Sequence, residues 1–520
     1  MPFTAEYVLG SVNGFHHPPQ GSVEEIALFH QLQKRFTKEY ENSFPDKLAA
    51  KTVVIIPSLT LDQEILSKIN GVLHYEERLL CLLMLLRMPR TQIIYITSVP
   101  IDPVIIDYYL HLLPGITGYH ARQRLILLSC FDASHKSLTE KILASPRLMQ
   151  RIRMYIPEGN ICHLACFNVT EHERSLAVRL NMPLYGCDPD LYFSGTKSGS
   201  RKIFKECNIP VPPGYENLKN EEEVINALVE LKINYPWVKK AVVKMNDGFS
   251  GEGNGVFHYD GAPANDDLRR WINAMFKKTF RIVADELSYE KYFYKFQNMG
   301  GIVEAFIEGE IINSPSVQCR VNPLGMVDVI STHDQELGGE SGQVFMGASF
   351  PANKDYAVEI GEMGKRVAEV LKHYGVIGRF GIDFISVKEN DRWKHYAIEI
   401  NLRKGGTTHP YLMLQFLTDG NYDSATGIYK TANGQTRYYY ATDNLKNDVY
   451  KGLTPHDLID IAMYNGLMYD GSSQEGVMFH LIGAMSQYGK IGLVCIGSSP
   501  QRAYALYERT VDVLLKEALQ

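Results

Sequence analysis

A chain of 520 residues with 45% hydrophobic and 22% charged side chains describes a globular protein of roughly three or four domain-sized units. A formal net charge of −6 with no long basic run argues against nucleic acid or an acidic membrane as partner. The longest apolar run, residues 79–86, is too short to span a bilayer and reads as a core helix.

The 8 cysteines are scattered without a CxxC pair, Cys162 and Cys166 being the closest, which points to reduced thiols rather than disulfides or a zinc site. The N-terminus, MPFTAEYVLGSVNG, lacks the basic-then-apolar build of a signal peptide, so a soluble, cytoplasmic protein is expected. Ser22 and Glu25 make a capping box for a helix running to about Tyr40. Strand-like runs at residues 52–57, 92–98, 125–129 and 161–167 alternate with helical segments such as 74–87 and 137–155. That alternation predicts a parallel sheet with helices on both faces. No GxGxxG follows these strands, so no dinucleotide site is expected. The loops Pro57-Ser58-Leu59 and Ser98-Val99-Pro100 either line a cleft at the carboxyl edge or are simple turns, and both readings stay open.

After a boundary near residues 186–195, GTKSGSRK opens a helix that ends near Cys207, and IPVPP terminates it. Lys197, Arg201 and Lys202 in its first turns oppose the helix dipole unless an anion lies nearby. A helix at residues 221–231 precedes a strand, 241–245, in which Lys244 interrupts an apolar run. Alone, such a lysine fits an edge strand reaching solvent equally well. The following NDGFSGEGNG, residues 246–255, is not a Walker A loop, but its glycines would let backbone N–H groups close over phosphates. Beyond an amphipathic region at 266–278, GIVEAFIEGE at 301–310 reads as a strand running into a turn. Its end could read an adenine edge, with Glu310 on a ribose hydroxyl, or be a plain core strand. Strands at 314–320 and 326–333, a mobile loop at 335–347 and a helix at about 355–373 follow.

The most informative stretch is 378–410. It predicts strands at 380–387 and 395–401 joined by the polar turn KENDR. Asp383 lies in the first strand, and Glu399 and Asn401 share one face of the second by the two-residue repeat. Antiparallel pairing brings the two carboxylates together, and they repel unless a cation neutralises them. Oxygen ligands, few in number, suit magnesium, and Arg403 reaches the same face with a planar charge suited to phosphate. From about Asp419, a tyrosine-rich strand (436–442) and a final strand–helix (491–519) suggest an accessory region; its tyrosines could shape a substrate site or equally be sheet packing.

In this order the motifs resemble the ATP-grasp superfamily. The phrases LYGCDPDLYFSGTKSGSRKIF, VVKMNDGFSGEGNG and FHLIGAMSQYGKIGLVCIGSSPQRA resemble, within it, the pheganomycin-type peptide ligases with a pre-ATP-grasp domain. The resemblance implies an α/β protein: a Rossmann-like pre-ATP-grasp domain (1–190), a two-lobed α+β ATP-grasp domain (191–418, with a lid at about 210–310) and a small α/β accessory domain (419–520). It implies ATP and magnesium, with Lys197 and Lys244 on the phosphates and the loop bearing Gly248, Ser250, Gly251 and Gly253 closing over them. Glu304, Phe306 and Ile307 would border the adenine, Glu310 would hold the ribose, and Asp383, Glu399 and Asn401 would bind the metal. Arg403 would stabilise the transferring phosphoryl group. Gly381 stands where D-alanine ligase-like members carry an arginine, so Arg320 or Arg379 are further candidates.

The implied reaction joins a carboxylate to an amine, such as an amino acid or short peptide, through an acyl phosphate; the family reading also admits a homo-oligomer. His409 is a candidate base, although a histidine before Pro410 also suits a structural role. An ATP-binding scaffold and a kinase are the rival readings. The intact Asp383, Glu399, Asn401 and Arg403 argue against the scaffold.

Overall fold

The alternating apolar runs fold as four parallel strands, β1 (Lys51–Ile56), β2 (Thr91–Thr97), β3 (Leu125–Ser129) and β4 (Ile161–Cys166), in the order β3-β2-β1-β4. The computed structural model describes residues 17–61, 63–248, 253–264, 266–283, 287–338 and 344–519. Both faces of this sheet are covered: Val53, Ile55, Ile93 and Tyr95 enter one core, and Val54, Ile56, Ile94 and Ile96 the other. Residues 79–86 are buried as expected, but inside a 3-10 helix, Val72–Arg87. The capping box at Ser22 is half formed. The Ser22 hydroxyl accepts from the Glu25 amide, whereas the Glu25 carboxylate takes the Gly21 amide because Pro19 already holds that of Ser22.

The strand-end loops of this domain are filled rather than open. Ser58 bonds Thr60, whose hydroxyl donates to Glu173, and Ser98 donates to Glu76 at 2.6 Å through both amide and hydroxyl. Burial pushes the Glu76 carboxyl up to about 7. The carboxyl edge faces the central part of the chain, where the Phe167 carbonyl accepts from the Lys404 amide.

A second sheet is antiparallel and holds β5 (Gly214–Leu218), β6 (Lys240–Met245), β7 (Asn254–His258), β8 (Arg281–Ile282) and β9 (Gly301–Ala305) in the order β5-β9-β6-β7-β8. β6 is therefore an interior strand, and Lys244 is only 9% exposed, so the edge-lysine reading is corrected. The segment 301–310, expected as a strand running into a turn, is strand over Gly301–Ala305 and leaves the sheet there.

The third sheet carries β10 (Ile311–Val321), β11 (Val327–Gly338), β12 (Val344–Phe350), β13 (Gly378–Glu389) and β14 (Arg392–Asn401). After a small hairpin of β15 (Asn421–Asp423) and β16 (Ile428–Lys430) it continues with β17 (Tyr438–Lys446), β18 (Gly476–His480) and β19 (Lys490–Gly497). Its order is β14-β13-β10-β11-β12-β17-β19-β18, so the C-terminal segment extends the sheet of the central part through the β12–β17 pair. The loop expected at 335–347 is largely strand, with Glu336 opposite Gly347; only residues 339–343 lie outside the described part. Its polar side chains are satisfied across the sheet, Gln335 by Asp383 and Glu336 by the Tyr440 hydroxyl, which makes a polar strand tolerable here. β13 and β14 meet in a turn of Asn390 and Asp391, both at positive φ, tighter than the five-residue turn expected.

Among the described residues no helix is long and apolar enough to cross a membrane. The tyrosines of β17 pack: Tyr439 stacks on Phe350 at 4.8 Å between ring centroids, and Tyr440 lies against Tyr504 and Tyr507. Phe350 is 1% exposed and ties β12 to the C-terminal strands. Phe350→Ala is expected to cost about 3–5 kcal/mol. A lower thermal-unfolding midpoint, seen as one transition, would show that the shared sheet unfolds as a unit.

Candidate active site

The hairpin sets the centre of the site. Asp383 pairs in register with Glu399, and Gly381 with Asn401, so the three polar side chains share one face. A bulge at the next step, between Asp383 and Phe384, leaves an extra residue on β14 and re-aims the local side chains. Asn401 Nδ2 donates to Asp383 Oδ2 at 2.9 Å and to Glu399 Oε1 at 3.1 Å. Gln335, a residue the sequence reading left in a loop, donates to Asp383 Oδ1 at 2.8 Å.

Charge decides the state of this cluster. Burial, and then the neighbouring Glu399 charge, push the Asp383 carboxyl well above the usual range. Burial would raise Glu399 as well, but the Lys197 ammonium beside it outweighs that and holds the carboxyl low. Lys197 Nζ forms an ion pair with Glu399 Oε2. Two half-buried carboxylates and the carboxamide of Asn401, which now turns its nitrogen to them and would turn its oxygen to a cation, are a fitting donor set for magnesium.

The helix Lys197–Glu206 joins this hairpin to the second sheet. Thr196 caps it, its hydroxyl accepting from the Gly199 amide. The Lys197 amide donates to the Asn246 carbonyl, and the Ser198 amide to Asn246 Oδ1, just past the end of β6. The Ser200 hydroxyl accepts from the Ile400 amide, between Glu399 and Asn401. Arg201, 1% exposed, donates to Glu304 at 3.1 Å, and Lys244 pairs with the other oxygen of Glu304 at 2.6 Å. The basic residues opposing the helix dipole are thus matched by carboxylates: Lys197 by Glu399, Arg201 by Glu304 and Glu216. Asn246, Ser200 and Gln335 carry no sequence signal beyond their neighbourhood to motif residues.

The remaining predicted residues fall in three groups. Around the second sheet, Gly248 and Gly253 approach closely: a Cβ on Gly248 would lie 3.4 Å from the Gly253 amide nitrogen. Ser250 and Gly251 lie outside the described residues. Where the chain crosses to the hairpin, the Phe306 amide donates to the Lys240 carbonyl, Ile307 packs on Val387 and Tyr396, and Glu310 is exposed. Glu304 is 2% exposed and engaged on both oxygens. Arg403 is the arginine beside the metal-type cluster, its charge acting on Asp383. Arg320 and Arg379 face each other on β10 and β13, four residues from the Asp383–Ser316 step, roughly 13 Å along the strand. Arg320 is bound to Asp328 at 2.6 Å, so the structure does not bring this pair to Asp383. His409 is 4% exposed and shares a 2.9 Å contact between Nε2 atoms with His480. Burial keeps both imidazoles neutral.

Residues 190–260 and 265–425 match the family described as IQCH-like, ATP-grasp, and residues 457–510 match the PGM1 C-terminal domain. The chain is 29% identical over 473 residues to L-propargylglycine–L-glutamate ligase of Streptantibioticus cattleyicolor, covering 89% of this chain and 94% of that protein. It is 20% identical over 521 residues to IQ motif-containing protein H of Danio rerio, covering 90% of this chain and 49% of that one. Biotin carboxylase of Campylobacter jejuni, solved as its beta-gamma-ATP complex, shares the fold with a TM-score of 0.52 at 14% identity, covering 89% of this chain and 91% of that one.

Within this matched central part, Glu304 holds two buried cations at once. Glu304→Gln would leave Lys244 and Arg201 undercompensated and is expected to cost about 3–5 kcal/mol. A thermal midpoint equal to that of the parent protein would show that the pairing is incidental.

Proposed function

We propose that the protein is an ATP-dependent carboxylate–amine ligase that forms an amide through an acyl phosphate and releases ADP and phosphate. The observation that carries this reading is the half-buried Asp383–Glu399–Asn401 cluster, with Lys197 from the helix on Glu399 and the charges of Lys244 and Arg403 acting on its carboxylates. Similarity over most of the chain to a protein named as an amino-acid ligase supports the choice of reaction. The substrates are a small-molecule acid and an amine, such as an amino acid or short peptide.

In this reading Asp383, Glu399 and Asn401 hold magnesium, which would offset the repulsion between the phosphate oxygens and the attacking carboxylate. Lys197 and Lys244 turn from their glutamates to the phosphates of ATP. The loop bearing Gly248, Ser250, Gly251 and Gly253 covers those phosphates. Glu304, Phe306 and Ile307 border the adenine, and Glu310 holds the ribose. The substrate carboxylate attacks the γ-phosphorus and ADP leaves; the amine then attacks the acyl carbon, forming C–N as the C–O bond to phosphate breaks. Arg403 holds the negative oxygens in both steps, so catalysis rests on position and charge. Arg320 and Arg379, further along the strands with Arg320 held by Asp328, are not assigned to the phosphoryl group. The domains act as a pre-ATP-grasp unit (1–190), an ATP-grasp unit (191–418) with a lid at about 210–310, and an accessory unit (419–520).

Phosphate release from Mg-ATP is expected to require both an acid and an amine and to yield a conjugate lighter by one water. EDTA should stop turnover and magnesium restore it, and Glu399→Ala should lose it by at least about a hundredfold. A phosphorylated product without amide would replace this reading with a kinase. Nucleotide binding without any turnover across a wide substrate panel would replace it with a scaffold.

A further inference from the structure

An arginine that none of the motifs includes reaches from the N-terminal domain to β17. Arg78, in the 3-10 helix Val72–Arg87, is 8% exposed, and its guanidinium lies 4.0 Å from the Tyr75 ring centroid and 5.8 Å from that of Phe167. Its Nη2 forms an ion pair with Asp443 of β17, itself 8% exposed, while its Nε is buried with no hydrogen-bond partner among the described residues. Asp443 lies where β17 breaks register with β19 between Thr442 and Leu445, a bulge that turns a side chain out of the ladder. The crevice beside Asp443 is lined by Gly406, Thr407 and His409, the turn that follows Arg403.

We propose that Arg78 and Asp443 bind the main-chain zwitterion of a single α-amino acid as the amine substrate, an inference that rests on the ligase reading above. Arg78 takes the carboxylate and Asp443 the amino group. A guanidinium with a free Nε–H is the donor set that a carboxylate fills in bidentate fashion. The pair is in direct contact, so an inserted ligand must carry its two charges close together. The ammonium and carboxylate of an α-amino acid share one carbon, whereas the termini of an extended peptide separate by about 3.3 Å per residue. Asp443 shares a crevice with Gly406 and Thr407 of the turn after Arg403, so the pair, and the amino group seated on it, lie on the side of that turn.

The test is a competition with Mg-ATP and an equimolar mixture of the L-amino acids and their carboxamides, the acid coming from the same pool. Mass spectrometry separates conjugates ending in a carboxylate from those ending in a carboxamide. Carboxylate-ended conjugates are expected to dominate by about 10- to 100-fold. Arg78→Met should erase the preference, chiefly by raising KM for the free amino acid. The double variant Arg78→Met/Asp443→Asn, which removes both buried charges, serves where the single variant fails to fold. Equal use of carboxamides by the parent protein, or a preference that persists in the variants, overturns the inference and leaves the ligase reading intact. Absence of any conjugate while Mg-ATP binds overturns the ligase reading, and this inference with it.

Discussion

Two carboxylates fixed opposite each other inside a sheet are the constraint on which the central part of this molecule depends. Asp383 and Glu399 are register partners on β13 and β14, and burial makes two negative charges there untenable without a cation. The structure answers locally with Lys197 on Glu399 and with Asn401 and Gln335 donating to the carboxylates. A site that must be neutralised, yet whose neutralising group sits on a different element, is a site prepared to exchange one cation for another.

The same logic extends across the helix Lys197–Glu206. Its amides reach Asn246 at the end of β6, Ser200 accepts from Ile400, and Arg201 shares Glu304 with Lys244. One short helix therefore sets both lysines relative to both sheets, so the glycine-rich segment and the hairpin carboxylates are positioned by a common support. In our reading, nucleotide phosphates replace Glu304 and Glu399 as partners of Lys244 and Lys197. The N-terminal domain is docked on this arrangement through Lys404 and Phe167, and through the Arg78–Asp443 pair.

Much of this was legible in the sequence because local patterns carry it. The four parallel strands show as short apolar runs, and the placing of Asp383, Glu399 and Asn401 on one face follows from the two-residue repeat. Three things were not legible, for physical reasons. Residues 335–338 and 344–347 look like loop because they flank the polar, glycine-bearing run GGESGQ, but cross-strand pairing makes them strand. Lys244 could not be assigned to an interior strand until β9 was seen to pair with β6. Arg78 and Asp443 are 365 residues apart, and no periodicity announces such a contact. The continuation of the large sheet into β17, β19 and β18 is likewise a long-range pairing.

The most direct test is whether Lys197 stands in for the metal. Manganese affinity should be measured by electron paramagnetic resonance, without and with ADP, in the parent protein and in Lys197→Met. Removing a competing cation from Glu399 should tighten manganese binding in the absence of nucleotide, while affinity for ADP falls. Manganese binding that weakens or stays unchanged in the variant without nucleotide would contradict the account, because Lys197 would then not be holding the place of the ion.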